Sequence, residues 1–543
     1  MEGFDKQRVQ IRWSIFVPMS VLFVGAVLLG LFKPEAFYNA ENAVVQFAFL
    51  NFGWLFQLSG VLFLLICLYL AYSRTGNIRF GGPDAKPELT DWQWFSILLC
   101  AGIGTGIMFW GVAEPMTHFM SPPDKLGLAP GTEGSATFAM VTTFIHWTFI
   151  PYAMYTLAGV GIAFAAHNMK LPYNVSSSLY PLFGRRIQGP VATFVDGICL
   201  FAIAGGVAAI LGVGTMQTAS GLSLLLPGMV TDPKAVWVYV LAAIITVYLV
   251  SSYTGLMSGM RLMSDVNTKL YFVMMVFFFF AGGIPMTQFI LNLMTQSLGV
   301  FLGDFFVRTT YLSPVDGSEW PRWWPVYYWA IWLAYAPLMG MFFAKLCKGR
   351  TIRQFVSFNL IFPALFGILW FSVFGGASIF KELHGGSIWA MQKSGGLEVS
   401  VFAFLKNFPL SQMWSWIFIF VLILSIVTLC DSMTRTIASL STTIAHKEGV
   451  EPPVSLKLFW GLAMSSMALV NILAPAGKIS GIDATKQIAT VAGFPILFLM
   501  LLMAYCVVRM VARPDRYDLA NCPETARVEE IADLEKIAPQ HGS

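Results

Sequence analysis

Apolar runs of about 20 residues recur along the chain, parted by short polar or charged stretches, and each can cross a hydrocarbon layer of about 30 Å as a helix. They fall near 12–32, 50–73, 92–118, 136–167, 190–222, 235–256, 268–297, 321–347, 355–381, 411–443, 455–475 and 484–511. Backbone groups in lipid must be satisfied within the segment, so the runs predict helices. The expectation is an all-α polytopic membrane protein with twelve transmembrane helices. Several runs exceed about 25 residues, which predicts tilted or interrupted helices. The stretch 298–312, SLGVFLGDFFVRTTY, predicts an amphipathic helix lying at the interface.

Composition sharpens this. Hydrophobic residues make up 57% of the chain and charged ones 11%, which excludes a soluble domain of this length. The net charge of +4 is too small to argue for a nucleic-acid partner. Seven cysteines (67, 100, 199, 347, 430, 506 and 522) show no paired or ligand-like spacing and read as small buried hydrophobes. No metal or cofactor is expected. The first apolar run is too long for a cleaved signal peptide and lacks a small-residue cleavage site.

An even number of spans puts both termini on one side. The N-terminus and the loops after even-numbered spans hold 18 of the 33 basic residues, the tail 5 more and the opposite loops 10. The positive-inside rule then places both termini in the cytoplasm.

Three stretches carry chemistry. The first is AGIGTGIMFWG, residues 101–111, with four glycines inside a span. It reads either as close helix packing through small residues or as a locally unwound helix whose freed backbone groups face a cavity. In the second reading Gly104, Thr105 and Gly106 receive a carboxylate. The second stretch is FIHWTFIPYAMY, residues 144–155, where Trp147, Tyr152 and Tyr155 occupy neighbouring faces of one helix and Pro151 can bend it. The third is YYWAIWLAYAP, residues 327–337, where Tyr328, Trp332 and Tyr335 are spaced by 4 and 3 and line one face. An aromatic belt at the interface accounts for Trp320, Trp323 and Trp324, and less well for Trp332 and Tyr335, which lie two to three turns inside. Facing walls of indole and phenol suit a cation that cannot donate hydrogen bonds, such as a quaternary ammonium group. Together the glycine stretch and the rings describe a zwitterionic betaine as guest.

At these residues the chain resembles the betaine/carnitine/choline transporter family, over about residues 10–511. The resemblance rests on GIGTGIMFWGVAEP, IHWTFIPYAMY and the aromatic eighth span followed by FFAKLCKGRTIRQF at 342–355. It implies a LeuT-like fold of two inverted five-helix repeats preceded by two extra helices, a homotrimer, alternating access and a bacterial cytoplasmic (inner) membrane. The boundaries that follow are a cytoplasmic N-terminus at 1–11, two peripheral helices at 12–91, a first repeat at 92–297, an interfacial helix and loop at 298–320, a second repeat at 321–511 and a cytoplasmic tail at 512–543.

What drives transport is read from the same resemblance. Sodium-coupled betaine symporters of the family use two threonines on the fifth span, and those positions here are Ile203 and Val207. Their Thr-Ser pair on the tenth span reads Thr428-Leu429 here. Arg261, in GMRLMSDVN, and Met339, in YAPLMG, resemble the Arg and Met that stand in for two sodium ions in the family's sodium-independent antiporters. A fixed guanidinium supplies the charge that a bound ion would bring. Choline symporters of the family carry an Asp in the glycine segment, where this chain has Gly106. Beside Trp147, His146 reads as a hydrogen-bonded structural residue or a titrating group. Glu114, Asp196, Asp265 and Asp431 are expected to make local hydrogen bonds or pairs.

The cage departs from that of the antiporters. Their two adjacent tryptophans on the eighth span are Ile331 and Trp332 here. One tryptophan of the fourth span is Tyr152, and the tyrosine ending the third is Thr117 or Met116. The cage is thinner, which bears on which substrate it takes.

The expectation is therefore a sodium- and proton-independent exchanger of trimethylammonium carboxylates of the carnitine, γ-butyrobetaine and betaine sort. A cation-coupled symporter for an osmolyte such as glycine betaine is the rival. A channel would need a continuous polar face, and an enzyme a cluster of His, Asp or Glu; the six histidines (118, 146, 167, 384, 446 and 541) are dispersed along the sequence.

Overall fold

Described in the computed structural model are residues 10–102, 104–230, 232–254, 257–443, 451–473, 481–526 and 528, without the side chains at 251–261, 481–483, 485 and 486. Eleven helices are long and apolar enough to cross a membrane, and a bent helix pair brings the spans to twelve. Among the described residues the only strand-like pairings are two isolated bridges, Ile11 with Thr442 and Arg79 with Thr351.

The principal helices are α1 (Trp13–Phe32), α2 (Pro34–Tyr72), α3 (Asp91–Gly102), α4 (Gly104–Met120), α5 (Glu133–Trp147), α6 (Phe149–Ala163), α7 (Pro190–Leu225), α8 (Pro233–Thr254), α9 (Met257–Phe280), α10 (Gly283–Gly303), α11 (Tyr327–Lys345), α12 (Phe362–Leu383), α13 (Ser411–Leu440), α14 (Val454–Ile472) and α15 (Gly481–Ala512). At the centre, α11 packs along α6 and α15, while α4 packs on α12 and α5. The third span is broken, with α3 and α4 meeting at a 58° bend within the glycine stretch. The fourth breaks at Thr148, whose φ of −122° and ψ of −113° are not helical. Its cause is Pro151, which has no N–H to offer the carbonyl of Trp147.

Two boundaries differ from the sequence reading. The second span, expected over 50–73, belongs to a helix of 39 residues that begins at Pro34. Glu35, Asn39, Glu41 and Asn42 interrupt the apolar run there without interrupting the helix. The run at 268–297 is not one helix. Gly283 has φ +75°, a left-handed conformation that glycine adopts freely. Pro285 follows in the first turn of the next helix, where its missing N–H is harmless. The chain thus turns at Gly282–Gly283, ending α9 at Phe280 and starting α10. That helix is not among those apolar enough to cross, so the non-spanning helix expected at 298–312 begins instead at Gly283.

One end of the bundle is tied together by polar contacts. Asn168, after the fourth span, donates to Asp518 Oδ1 at 3.0 Å, and Asn521 donates to the carbonyl of Arg79 at 3.1 Å. Arg12 pairs with the fully buried Asp196 at 3.0 Å, and its backbone N–H donates to the carbonyl of Ser441. Both ends of the described chain therefore meet the loops that follow even-numbered spans.

Candidate functional site

A cavity of about 110 Å³ lies where α3, α4, α5, α6, α7 and α11 converge. Gly104, Thr105 and Gly106 line it from the break in the third span, and Trp147 and Tyr155 from the two halves of the fourth. Tyr328, Trp332, Tyr335 and Met339 line it from α11. Spacings of 4 and 3 put the α11 residues on one helical face, so a single rigid element presents all of them.

The rings form walls set nearly at right angles. Trp147 and Trp332 have ring centroids 5.4 Å apart at 81°, Trp147 and Tyr328 5.4 Å at 72°, and Tyr155 and Trp332 5.4 Å at 66°. The polar tips of three of these rings are held by protein atoms. Trp332 Nε1 donates to the carbonyl of His146 at 3.2 Å. Trp147 Nε1 donates to Glu114 Oε2 at 2.6 Å, and Tyr328 OH donates to the same oxygen at 2.5 Å. Trp147 also lies on Gly106, where a Cβ would stand 2.5 Å from the indole Cζ3. Only a residue without a side chain permits that approach.

Other residues named from the sequence lie away from the cavity or outside the described side chains, and three of the acidic ones make the local contacts expected of them. Tyr152 does not line the cavity; it lies behind Trp332, with centroids 6.3 Å apart. Arg261 is on α9, and its side chain is outside the described residues. Thr117 accepts from Gln392 Nε2 at 2.7 Å, and neither it nor Met116 reaches the cavity. Asp196, Asp265 and Asp431 are engaged locally, by Arg12, by Trp92 and Lys269, and by Arg435.

The positions that the resemblance matches to ion sites are poor in side-chain oxygens. Ile203 and Val207 are buried and apolar, and Leu429 lines the cavity. Thr428 gives its hydroxyl to the carbonyl of Leu424 at 2.8 Å, within its own helix. Among the described lining residues none is charged.

Sequence reasoning missed part of the wall. Trp110, Phe109 and Tyr327 line the cavity, and Ile210 and Val213 join Ile331 and Leu429 in its aliphatic lining. Trp110 was within reach, since it follows Gly106 by four residues and so shares its face. The larger miss concerns the histidines. Although dispersed along the chain, His118 and His146 meet at Glu114, with His146 Nδ1 2.6 Å and His118 Nε2 3.6 Å from Glu114 Oε1. Their ligand atoms lie within 4.8 Å of one another. At 2.6 Å His146 Nδ1 bonds the carboxylate directly, and Oε2 accepts two donors, so the arrangement is a hydrogen-bonded cluster.

A relative from Desulfitobacterium hafniense, a probable glycine betaine transporter, is 33% identical over 93% of this chain and 98% of its own. An ectoine/hydroxyectoine transporter from Virgibacillus pantothenticus is 30% identical over 93% of this chain and 96% of its own. Among solved structures, a substrate-bound outward-open Na+-coupled sialic acid symporter aligns at 14% identity and a TM-score of 0.49 over 86% of both chains. A family model for the betaine/carnitine/choline transporters matches residues 14–516. The chain belongs to the betaine/carnitine/choline family of transporters.

Proposed function

We propose that this transporter is a sodium- and proton-independent antiporter. It takes up a trimethylammonium carboxylate of the carnitine, γ-butyrobetaine or betaine type and exports its metabolic product by alternating access. The observation that carries this reading is the cavity wall, where ring faces meet a glycine backbone and Met339 and Leu429 occupy positions that offer no hard oxygen ligand. An ammonium group that donates no hydrogen bond needs only the faces of Trp147, Trp332, Tyr328, Tyr335 and Tyr155, with Tyr152 behind them. The carboxylate end goes to the backbone at Gly104–Gly106 and to Thr105, where a broken helix frees N–H groups. Arg261 supplies the fixed positive charge. Exchange needs no second ion because the empty carrier reorients poorly and the outgoing product returns it. The proposal extends to inverted repeats, a homotrimer, and termini facing the cytoplasm across a bacterial inner membrane.

A second reading, a cation-coupled symporter for osmolyte uptake, is favoured by the relatives' names, since one is described as a probable glycine betaine transporter and another as an ectoine transporter. Proteoliposomes separate the two. They are preloaded with one betaine of a panel or left empty, and uptake of labelled L-carnitine, glycine betaine and ectoine is followed with and without sodium. Uptake that requires an internal betaine and ignores sodium is expected. Sodium-driven uptake into empty vesicles would establish the symporter instead.

A further inference from the structure

The cage uses ring faces, and it leaves a buried carboxylate without a role. Glu114 is fully buried, ten residues beyond the helix break on α4. Its Oε2 accepts from Trp147 Nε1 and from Tyr328 OH, so that oxygen carries no proton. Its Oε1 faces His146 and His118. Neither Glu114 nor either imidazole lines the cavity, and Trp147 and Tyr328 do. The two rings thus connect the carboxylate to the cavity.

Burying a carboxylate is costly even when it is hydrogen-bonded. Holding two rings does not require the charge, because a glutamine oxygen can accept the same two donors. What the charge adds is electrostatic. In a dry interior a negative group attracts a cation over several ångströms. Donation of the indole N–H and the phenol O–H to an anion also pushes electron density into both rings and makes their faces more negative, which strengthens attraction for a cation above them. The imidazoles stand on the Oε1 side, so the negative end of the cluster points at the rings whether or not one imidazole is protonated.

We propose that Glu114 is the counter-charge of the substrate's ammonium group, acting through Trp147 and Tyr328 without touching the substrate. It is a positioning residue that fixes both rings and makes them electron-rich. This rests on the reading of the cavity as a cation cage, and it assigns the ionic part of the ammonium preference to one residue outside the cavity.

The test compares two ligands of one shape. Binding of glycine betaine and of its carbon isostere, tert-butylacetate, which keeps the carboxylate and lacks the ammonium charge, is measured on purified wild type, Glu114→Gln and Glu114→Asp by quenching of tryptophan fluorescence. Wild type is expected to prefer betaine. Glu114→Gln keeps the acceptor and removes the charge, so betaine affinity falls about tenfold while the isostere's changes by no more than about twofold. Glu114→Asp keeps the charge on a shorter arm, so both ligands weaken and the preference survives. Equal loss of both ligands in Glu114→Gln, or loss of the preference in Glu114→Asp, would overturn the counter-charge. Wild type that binds the isostere as tightly as betaine, or binds neither, would overturn the cage reading itself. The preference is a ratio on one sample, so an unfolded fraction does not imitate it.

Discussion

Gly106 meets the edge of the Trp147 indole: a Cβ on Gly106 would stand 2.5 Å from Cζ3 and 2.7 Å from Cη2 of the ring. The indole cannot slide away freely, because its Nε1 is held by Glu114. A glycine on one broken helix therefore sets where the principal ring of another stands. Gly106→Ala is expected to overpack this contact and weaken betaine binding about tenfold. Fluorescence titration of the purified variant checks it, and unaltered affinity would mean that the ring's position does not matter to binding.

Trp332 is the ring that Trp147, Tyr152 and Tyr155 all meet. Trp332→Ala removes one wall of the cage, and a desolvated wall contributes about 1–2 kcal/mol, a loss of roughly 5–30-fold in affinity. Equilibrium binding measures this directly. Wild-type affinity in the variant would place the site elsewhere.

Ion independence is expected to follow from residues that can be exchanged. Arg261→Ala should abolish sodium-free exchange, with added sodium partly restoring it. Ile203→Thr, Val207→Thr and Leu429→Ser combined in one protein return hydroxyls to three apolar positions and should make transport sensitive to sodium. Proteoliposome uptake across a range of sodium concentrations reads both. A flat sodium response in every variant, with exchange intact, would remove the case for Arg261 as a surrogate cation.

A stability prediction is independent of transport. Asp196 is fully buried and paired with Arg12 at 3.0 Å. Arg12→Ala leaves that carboxylate without its partner, and breaking a buried pair costs about 3–5 kcal/mol. A clear fall in the thermal unfolding midpoint is expected, largely recovered by adding Asp196→Asn. No fall in Arg12→Ala would show that the pair contributes little.

Much of this molecule is local in the chain, and that part was legible. Twelve apolar runs gave the spans, the glycines of residues 101–111 marked the broken helix, and the aromatic spacing on α11 marked a cavity wall. Gly282–Gly283 does not stand out in the sequence because its flanks, Ala281 and Ile284, are as apolar as a continuous span; hydropathy does not register a positive φ. The Glu114 cluster was illegible for another reason. His146 and Tyr328 lie 32 and 214 residues from Glu114, and no periodicity links them. Tyr152 shows a third limit, since helical spacing gives a face but not whether that face meets the cavity or the back of another ring.

The polar ties at one end of the bundle carry a consequence for motion. Residues 10–12 are bonded to the loop after the tenth span and Asp518 to Asn168 after the fourth, so both ends of the described chain are fastened to loops at one end of the bundle. Residues 514–526 are therefore expected to follow any movement of the loop at Asn168, and a pair of labels on Asn521 and on that loop would report whether the two stay together.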